Sequence, residues 1–201
     1  MKSKIFDDFS VDFSKGRKVY IKHGKPIYEE SVRSIRTPFS FLILSSRMFD
    51  LGHIKKIVSS IEALFLDYET DIVFVVGKKE YVSLLEEAFR DKFYKSILSE
   101  NPESPVYSSI KLGLKCISPY SEGAVIIYGN RDVIAPQDLK KILDTILSGA
   151  LITIPERNGK RAHPVAFKKE LFPQLSDLRK EKGIPYILRK YSTQIKTVEI
   201  G

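Results

Sequence analysis

Four short, continuous apolar runs constrain this chain more than any other feature. Phe39–Ser45, Asp71–Gly77, Gly123–Gly129 and Ala150–Pro155 are each six or seven residues long and rich in β-branched or aromatic side chains. Runs that are apolar throughout, rather than alternating, suit strands buried on both faces of a largely parallel sheet. Between them the apolar period changes. Ile54, Ile57, Val58, Ile61, Leu64 and Phe65 recur at helical spacing, and so do Tyr81, Leu84, Leu85, Ala88 and Phe89. Pro136 opens a third stripe through Leu139, Ile142, Leu143, Ile146 and Leu147, and Gly149 closes it. Strands alternating with helices predict a doubly wound α/β sheet with helices on both faces, a three-layer α/β/α arrangement. A length of 201 residues suits one such domain, and 43% hydrophobic residues can fill its core.

The remaining composition works mainly by exclusion. Cys116 is the only cysteine, so no internal disulfide, CxxC zinc site or cysteine-held cluster can form. It sits on an apolar stretch read as helical, which makes it inert core, and a reducing, cytoplasmic setting is expected. The three histidines, His23, His53 and His163, lack metal-ligand spacing. No apolar run approaches membrane-spanning length, and no signal-peptide segment opens the chain, so no membrane partner is expected. No GxSxG elbow, GxGxxG turn or Walker loop is present. Residues 1–38 are less regular and read as an arm or hairpin ahead of one compact domain over 39–201.

The net charge of +8 favours anionic partners. Arg157, Lys160, Arg161, Lys168, Lys169, Arg179, Lys180, Lys182, Arg189 and Lys190 supply much of it, with Tyr186 and Tyr191 among them. Aromatics between cations can stack bases. Solvated helix faces account for such a distribution more simply, and nucleic acid is not the expected ligand.

Ligands of open α/β sheets bind beyond the carboxyl ends of the strands. That rule singles out four places: Ser45–Met48, Gly77–Lys79, Gly129–Asp132 and the loop after Pro155. In Tyr128–Pro136, Asp132 is the sole carboxylate, able to hold a hard divalent cation against phosphate or merely to cap the turn. In Asn158–Val165, Lys160, Arg161 and His163 can grip a phosphate or a substrate's polar edge, although a histidine before proline is often only structural. Ser108 and Ser109 follow the polar Asn101–Pro105 stretch, placed either to hydrogen-bond a ligand or to cap a helix.

Taken in order, these loops resemble the MobA-like nucleotidyltransferases, particularly the molybdenum-cofactor (molybdopterin) cytidylyltransferase branch. The family's Gly-Asp-x-Pro and Val-x-Pro turn is similar to Gly129–Pro136. Its Asn-Pro loop and Ser-Ser-Leu-x-x-Gly helix resemble Asn101-Pro102 and Ser108–Gly113. Its Gly-x-Arg-Gly-His-Pro-Val loop is similar to Gly159–Val165, and Leu171–Pro173 with Glu181–Lys190 resemble its closing helices. The resemblance covers roughly residues 70–200.

It implies a Rossmann-like, nucleotide-diphospho-sugar-transferase-like fold. The implied reaction is transfer of a nucleoside monophosphate from a nucleoside triphosphate, CTP or GTP, to a phosphorylated acceptor such as a pterin, with Mg²⁺ or another divalent cation. Arg47 and Ser46, or Arg17 and Lys18 in a second register, are then expected to hold the triphosphate. Ser108 and Ser109 are expected near the base, Asp132 and Glu181 at the metal, and His163 facing the acceptor.

Three departures qualify that reading. The family's glycine-rich opening loop is reduced to Leu44-Ser45-Ser46-Arg47-Met48, the Gly-Asp aspartate aligns with Asn130, and Ala162 replaces a glycine. The alternative is a catalytically degenerate member that binds nucleotide, pterin or a protein partner without turnover.

Overall fold

A computed structural model of the chain describes residues 9–12, 17–22, 25–31, 37–179 and 183–201, with side chains from residue 38 onward. Strands β1 (Phe9–Asp12), β2 (Arg17–Lys22) and β3 (Lys25–Ser31) form a three-stranded antiparallel sheet of their own.

The main sheet starts with β4 (Thr37–Ser45) and continues through β5 (Tyr68–Val76), β6 (Lys95–Leu98), β7 (Gly123–Tyr128), β8 (Ile152–Arg157), β9 (Lys160–Arg161), β10 (Val165–Lys168) and β11 (Ile195–Glu199). Its order is β11-β8-β10-β7-β4-β5-β6, with β9 paired to β8. The pairs β4–β5, β4–β7, β5–β6 and β8–β11 are parallel. Strand β10 runs antiparallel to both β7 and β8. The helices are α1 (Leu51–Glu62), α2 (Lys79–Ala88), α3 (Val106–Leu114), α4 (Pro136–Leu147), α5 (Phe172–Ser176) and α6 (Ile184–Lys190). No helix among the described residues is long and apolar enough to cross a membrane.

Alternation along the strands splits the core in two. Phe39, Phe41, Ile43, Phe74, Val76 and Ile127 face α1, α2 and α4. Leu42, Leu44, Val73, Val75, Ile126 and Phe167 face α3, α5 and α6. Helices on both sides of one sheet make three layers, as the alternation of patterns predicts. The expected run Ala150–Pro155 lies two residues early: the strand is Ile152–Arg157, because Gly149, with φ of +108°, and Ala150 still belong to the turn out of α4.

The amino-terminal ends of the strands hold a buried polar cluster. Asp71 on β5 pairs with Lys95 on β6 at 2.8 Å, and both side chains are under a tenth exposed. Its second oxygen accepts from Ser40 Oγ and from the Ser118 backbone N–H, each at 2.7 Å. Lys95 Nζ also donates to the Cys116 carbonyl at 2.8 Å. Cys116 itself lies just past α3 rather than on a helix, and burial pushes its thiol up to about 11, which keeps it unreactive.

Candidate nucleotide-binding crevice

The chain leaves β4 toward β5 and β6 on one side and toward β7 on the other, so β4 and β7 flank the topological switch point. Crevices form at such points because the loops leaving the two strands diverge. Here they are Ser45–Asp50 after β4 and Gly129–Ala135 after β7.

Close backbone approach shapes the floor. A Cβ at Gly77, the residue after β5, would lie 1.9 Å from the Ser46 carbonyl and 2.8 Å from Pro102. A Cβ at Gly129 would lie 2.0 Å from Ser45 Oγ. Only glycine lets these loops touch. Ser45 Oγ, buried beside Gly129, has no hydrogen-bond partner.

On the β5 side, Ser46 Oγ and Ser109 Oγ are 3.1 Å apart. The crevice thus joins two residues singled out from sequence 63 positions apart. Ser108 is half-buried one position earlier. Neither serine caps the helix: α3 is capped at Pro105 without any side-chain hydrogen bond, leaving the hydroxyls for other roles. Arg47 reaches across to the loop after β6, where Nε donates to Pro102 O at 3.2 Å and Nη2 to Glu103 O at 2.6 Å and Ser104 O at 3.1 Å. The guanidinium therefore holds this loop against the crevice.

One residue missed in sequence changes the charge at the start of α1. Asp50 is the N-cap of α1, its carboxylate accepting from the His53 N–H at 3.0 Å. The positive end of a helix attracts anions, and here a carboxylate already sits there. An aspartate directly before an apolar helical stripe was the available signal.

On the β7 side, Asn130 Nδ2 lies 3.4 Å from Met48 Sδ, joining the two lips. His53 Nε2 bonds the Arg131 carbonyl at 2.6 Å and ties the β7 turn to α1. Asp132 does not cap α4, whose N-cap is Ala135. Its side chain is 90% exposed and lies 3.5 Å from Arg157 Nη1. Among the described residues no group of three His, Cys, Asp or Glu side chains could hold a metal ion. The donor chemistry therefore does not fit a cation bound by protein alone. A hard divalent cation at the crevice would have to take most of its oxygens from a bound phosphate.

His163 precedes a cis peptide bond to Pro164 and stands edge-on to Tyr128, with centroids 4.8 Å apart. Its Nδ1 is buried without a partner. Burial, with Arg131 nearby, lowers its pKa from the ordinary 6.5, so the ring is neutral at pH 7. Because the unfolded chain then binds the extra proton more readily, stability is full above about pH 6.5 and falls on acidification below it. Replacing His163 with Phe is expected to flatten that acid limb in denaturation midpoints measured from pH 7.5 to 5. An unchanged limb would place the titrating group elsewhere.

Arg17 and Lys18 lie on β2, and their side chains fall outside the described ones; Glu181 lies outside the described residues altogether.

A family model, the MobA-like NTP transferase domain, matches residues 23–195. The chain belongs to that family. Solved structures with this fold include three of low sequence identity. Rv0371C of Mycobacterium tuberculosis H37Rv, in complex with manganese, is 15% identical with a TM-score of 0.64, covering 82% of this chain and 89% of that one. The 4-diphosphocytidyl-2C-methyl-D-erythritol synthase of Anaerococcus prevotii is 14% identical with a TM-score of 0.66, covering 82% and 88%. The glucosyl-3-phosphoglycerate synthase of Mycobacterium tuberculosis, solved with Mn²⁺ and UDP, is 15% identical with a TM-score of 0.61, covering 84% and 71%. At these identities the likeness concerns the fold. No curated protein sequence matches the chain significantly.

Proposed function

We propose that the crevice binds a nucleoside triphosphate and transfers its nucleoside monophosphate to a phosphorylated small molecule. The observation that supports this reading is the meeting of Ser46, just past the end of β4, with Ser109 of α3 in a MobA-like chain, with Arg47 next to Ser46 and Asp132 on the loop after β7. An acceptor phosphate oxygen attacks the α-phosphorus, the bond to the bridging oxygen breaks, and pyrophosphate leaves with that electron pair. Such transfer needs positioned groups and charge stabilisation more than proton chemistry.

Ser46 and Ser109 exchange their mutual hydrogen bond for ligand oxygens or base edges, with Ser108 beside them. Arg47 turns from the loop carbonyls to phosphate, a stronger, charge-assisted acceptor. Neutral His163 faces the acceptor and offers a hydrogen bond from a ring that does not add charge. Asp132 holds the divalent cation, Mg²⁺ or Mn²⁺, which when bound neutralises charge on the phosphates. CTP or GTP as donor and a pterin phosphate as acceptor are the specific candidates, on the strength of the family resemblance. The Mn²⁺ present in two of the fold relatives supports a divalent cation.

A second reading, binding without turnover, is favoured by Asn130 in place of a carboxylate and by the Asp50 cap at α1. Calorimetric titration with CTP, GTP and ATP, each with and without Mg²⁺ or Mn²⁺, separates the cases. The expected result is one preferred nucleotide whose affinity rises with the cation, and loss of that rise in Asp132→Ala. Pyrophosphate release with an acceptor then marks a transferase, whereas cation-independent binding without release marks the second reading. Absence of binding at millimolar nucleotide would remove the transferase reading and leave the second only with a pterin or a protein partner as its ligand.

A further inference from the structure

The β8–β9 hairpin sets Lys160 opposite Arg157, the cation that pairs with Asp132. Asn158 and Gly159 both have positive φ, +52° and +71°, which gives a two-residue turn matched to the strand twist. Arg157 and Lys160 are therefore directly paired across the hairpin. Directly opposed residues of an antiparallel pair project to the same face, where like charges repel. Arg161 pairs with Glu156 in the next, oppositely facing position.

The hairpin is held in place from behind. Arg157 Nε donates to the Gly201 carbonyl at 2.9 Å, and the Asn158 N–H to Glu199 Oε1 at 3.2 Å. Among the described side chains Arg157 has one anionic partner, Asp132, at 3.5 Å. The Lys160 side chain has none among the described residues. The turn thus holds two repelling cations side by side, and one of them, Arg157, reaches a 90% exposed carboxylate, Asp132, on the loop after β7.

We propose that Arg157 and Lys160 form the binding site for the acceptor's phosphate group, and that Asp132 stands in for that phosphate when the acceptor is absent. This deepens the transferase reading above and rests on it for the word acceptor. The ligand class is a phosphomonoester: its dianion matches two cations, and a guanidinium binds phosphate through two parallel N–H bonds. The Asp132–Arg157 pair is solvent-exposed, and such pairs are weak, so a phosphate displaces the carboxylate readily. Once displaced, Asp132 is free for a cation. Acceptor and cation each break the same pair, so whichever binds second meets it already broken, and each strengthens the other.

The probe is sn-glycerol 3-phosphate, which carries no base, pterin or triphosphate, titrated without metal at low ionic strength. Affinity is expected to fall about tenfold in Lys160→Ala and Arg157→Ala, since each removes one charge-assisted contact. Affinity is expected to rise about two- to fivefold in Asp132→Asn, which keeps the side chain's size and removes the competing anion. Mn²⁺ alone, followed by electron paramagnetic resonance, is expected to bind more tightly to Arg157→Ala than to the parent chain. Unchanged phosphomonoester affinity in Lys160→Ala or in Asp132→Asn overturns the proposal. Nucleotide binding with no response of the probe to these variants overturns the site and leaves the transferase reading standing. The expected order of probe affinities without any nucleotide binding does the reverse.

Discussion

Lys95→Met is expected to lower the unfolding free energy by about 3–5 kcal/mol, the cost of leaving a buried carboxylate without its cation. Asp71 and Lys95 are each under a tenth exposed in their side chains and stand 2.8 Å apart at the foot of β5 and β6. Losing the ammonium also strips the Cys116 carbonyl of its donor. Urea denaturation at neutral pH reads the effect as a shifted midpoint with an unchanged slope. Converting both residues, Asp71→Leu with Lys95→Met, is expected to recover part of the loss, because an apolar pair avoids the desolvation penalty. Recovery stays incomplete because Ser40 Oγ and the Ser118 N–H then lose their acceptor. A single-substitution cost below about 1 kcal/mol would mean that the pair is hydrated, like a surface ion pair.

Gly77→Ala is expected to damage both stability and the crevice. The new Cβ meets the Ser46 carbonyl at 1.9 Å, a backbone atom that cannot rotate away, and Pro102 at 2.8 Å. The loops after β4 and β6 must separate, at a cost toward the upper end of the about 1–3 kcal/mol typical of overpacking. That movement disturbs the Ser46–Ser109 hydrogen bond and the Arg47 contacts together. Nucleotide affinity should therefore fall more than stability alone predicts. Gly129→Ala is the comparison, since its nearest obstacle is the Ser45 hydroxyl, which can turn about χ1. A milder effect at Gly77 than at Gly129 would contradict this account of the floor.

Elements with a continuous apolar core or a clean helical stripe were legible in the sequence. β7 and α4 fall where their runs place them, because five consecutive buried residues in Gly123–Tyr128 and the Leu139–Ile146 stripe leave no other packing. The shorter strands were not legible. β6 opens on Lys95, whose charge hides a strand that its distant partner Asp71 makes tolerable. β10 is four residues long, and only the tertiary context of β7 and β8 on its flanks identifies it as antiparallel. In the crevice, sequence singled out Ser46 and Ser109 separately, and the fold brings them to hydrogen-bonding distance. Arg157 appeared there only as one cation among many, because its proximity to Asp132 depends on where β8 ends relative to β7.

The sheet order has a consequence for how the crevice can change over evolutionary time. Everything on the Ser46, Gly77 and Ser109 side hangs from β4, β5 and β6, whereas Arg157, Lys160 and His163 hang from β8, β9 and the entry to β10. The β4–β7 pairing is the seam between the two groups. Mutations in the hairpin after β8 leave the packing under the other loops intact, and the converse holds. The contacts across that seam, Asn130 with Met48 and His53 with the Arg131 carbonyl, are therefore the places where a change in one half reaches the other.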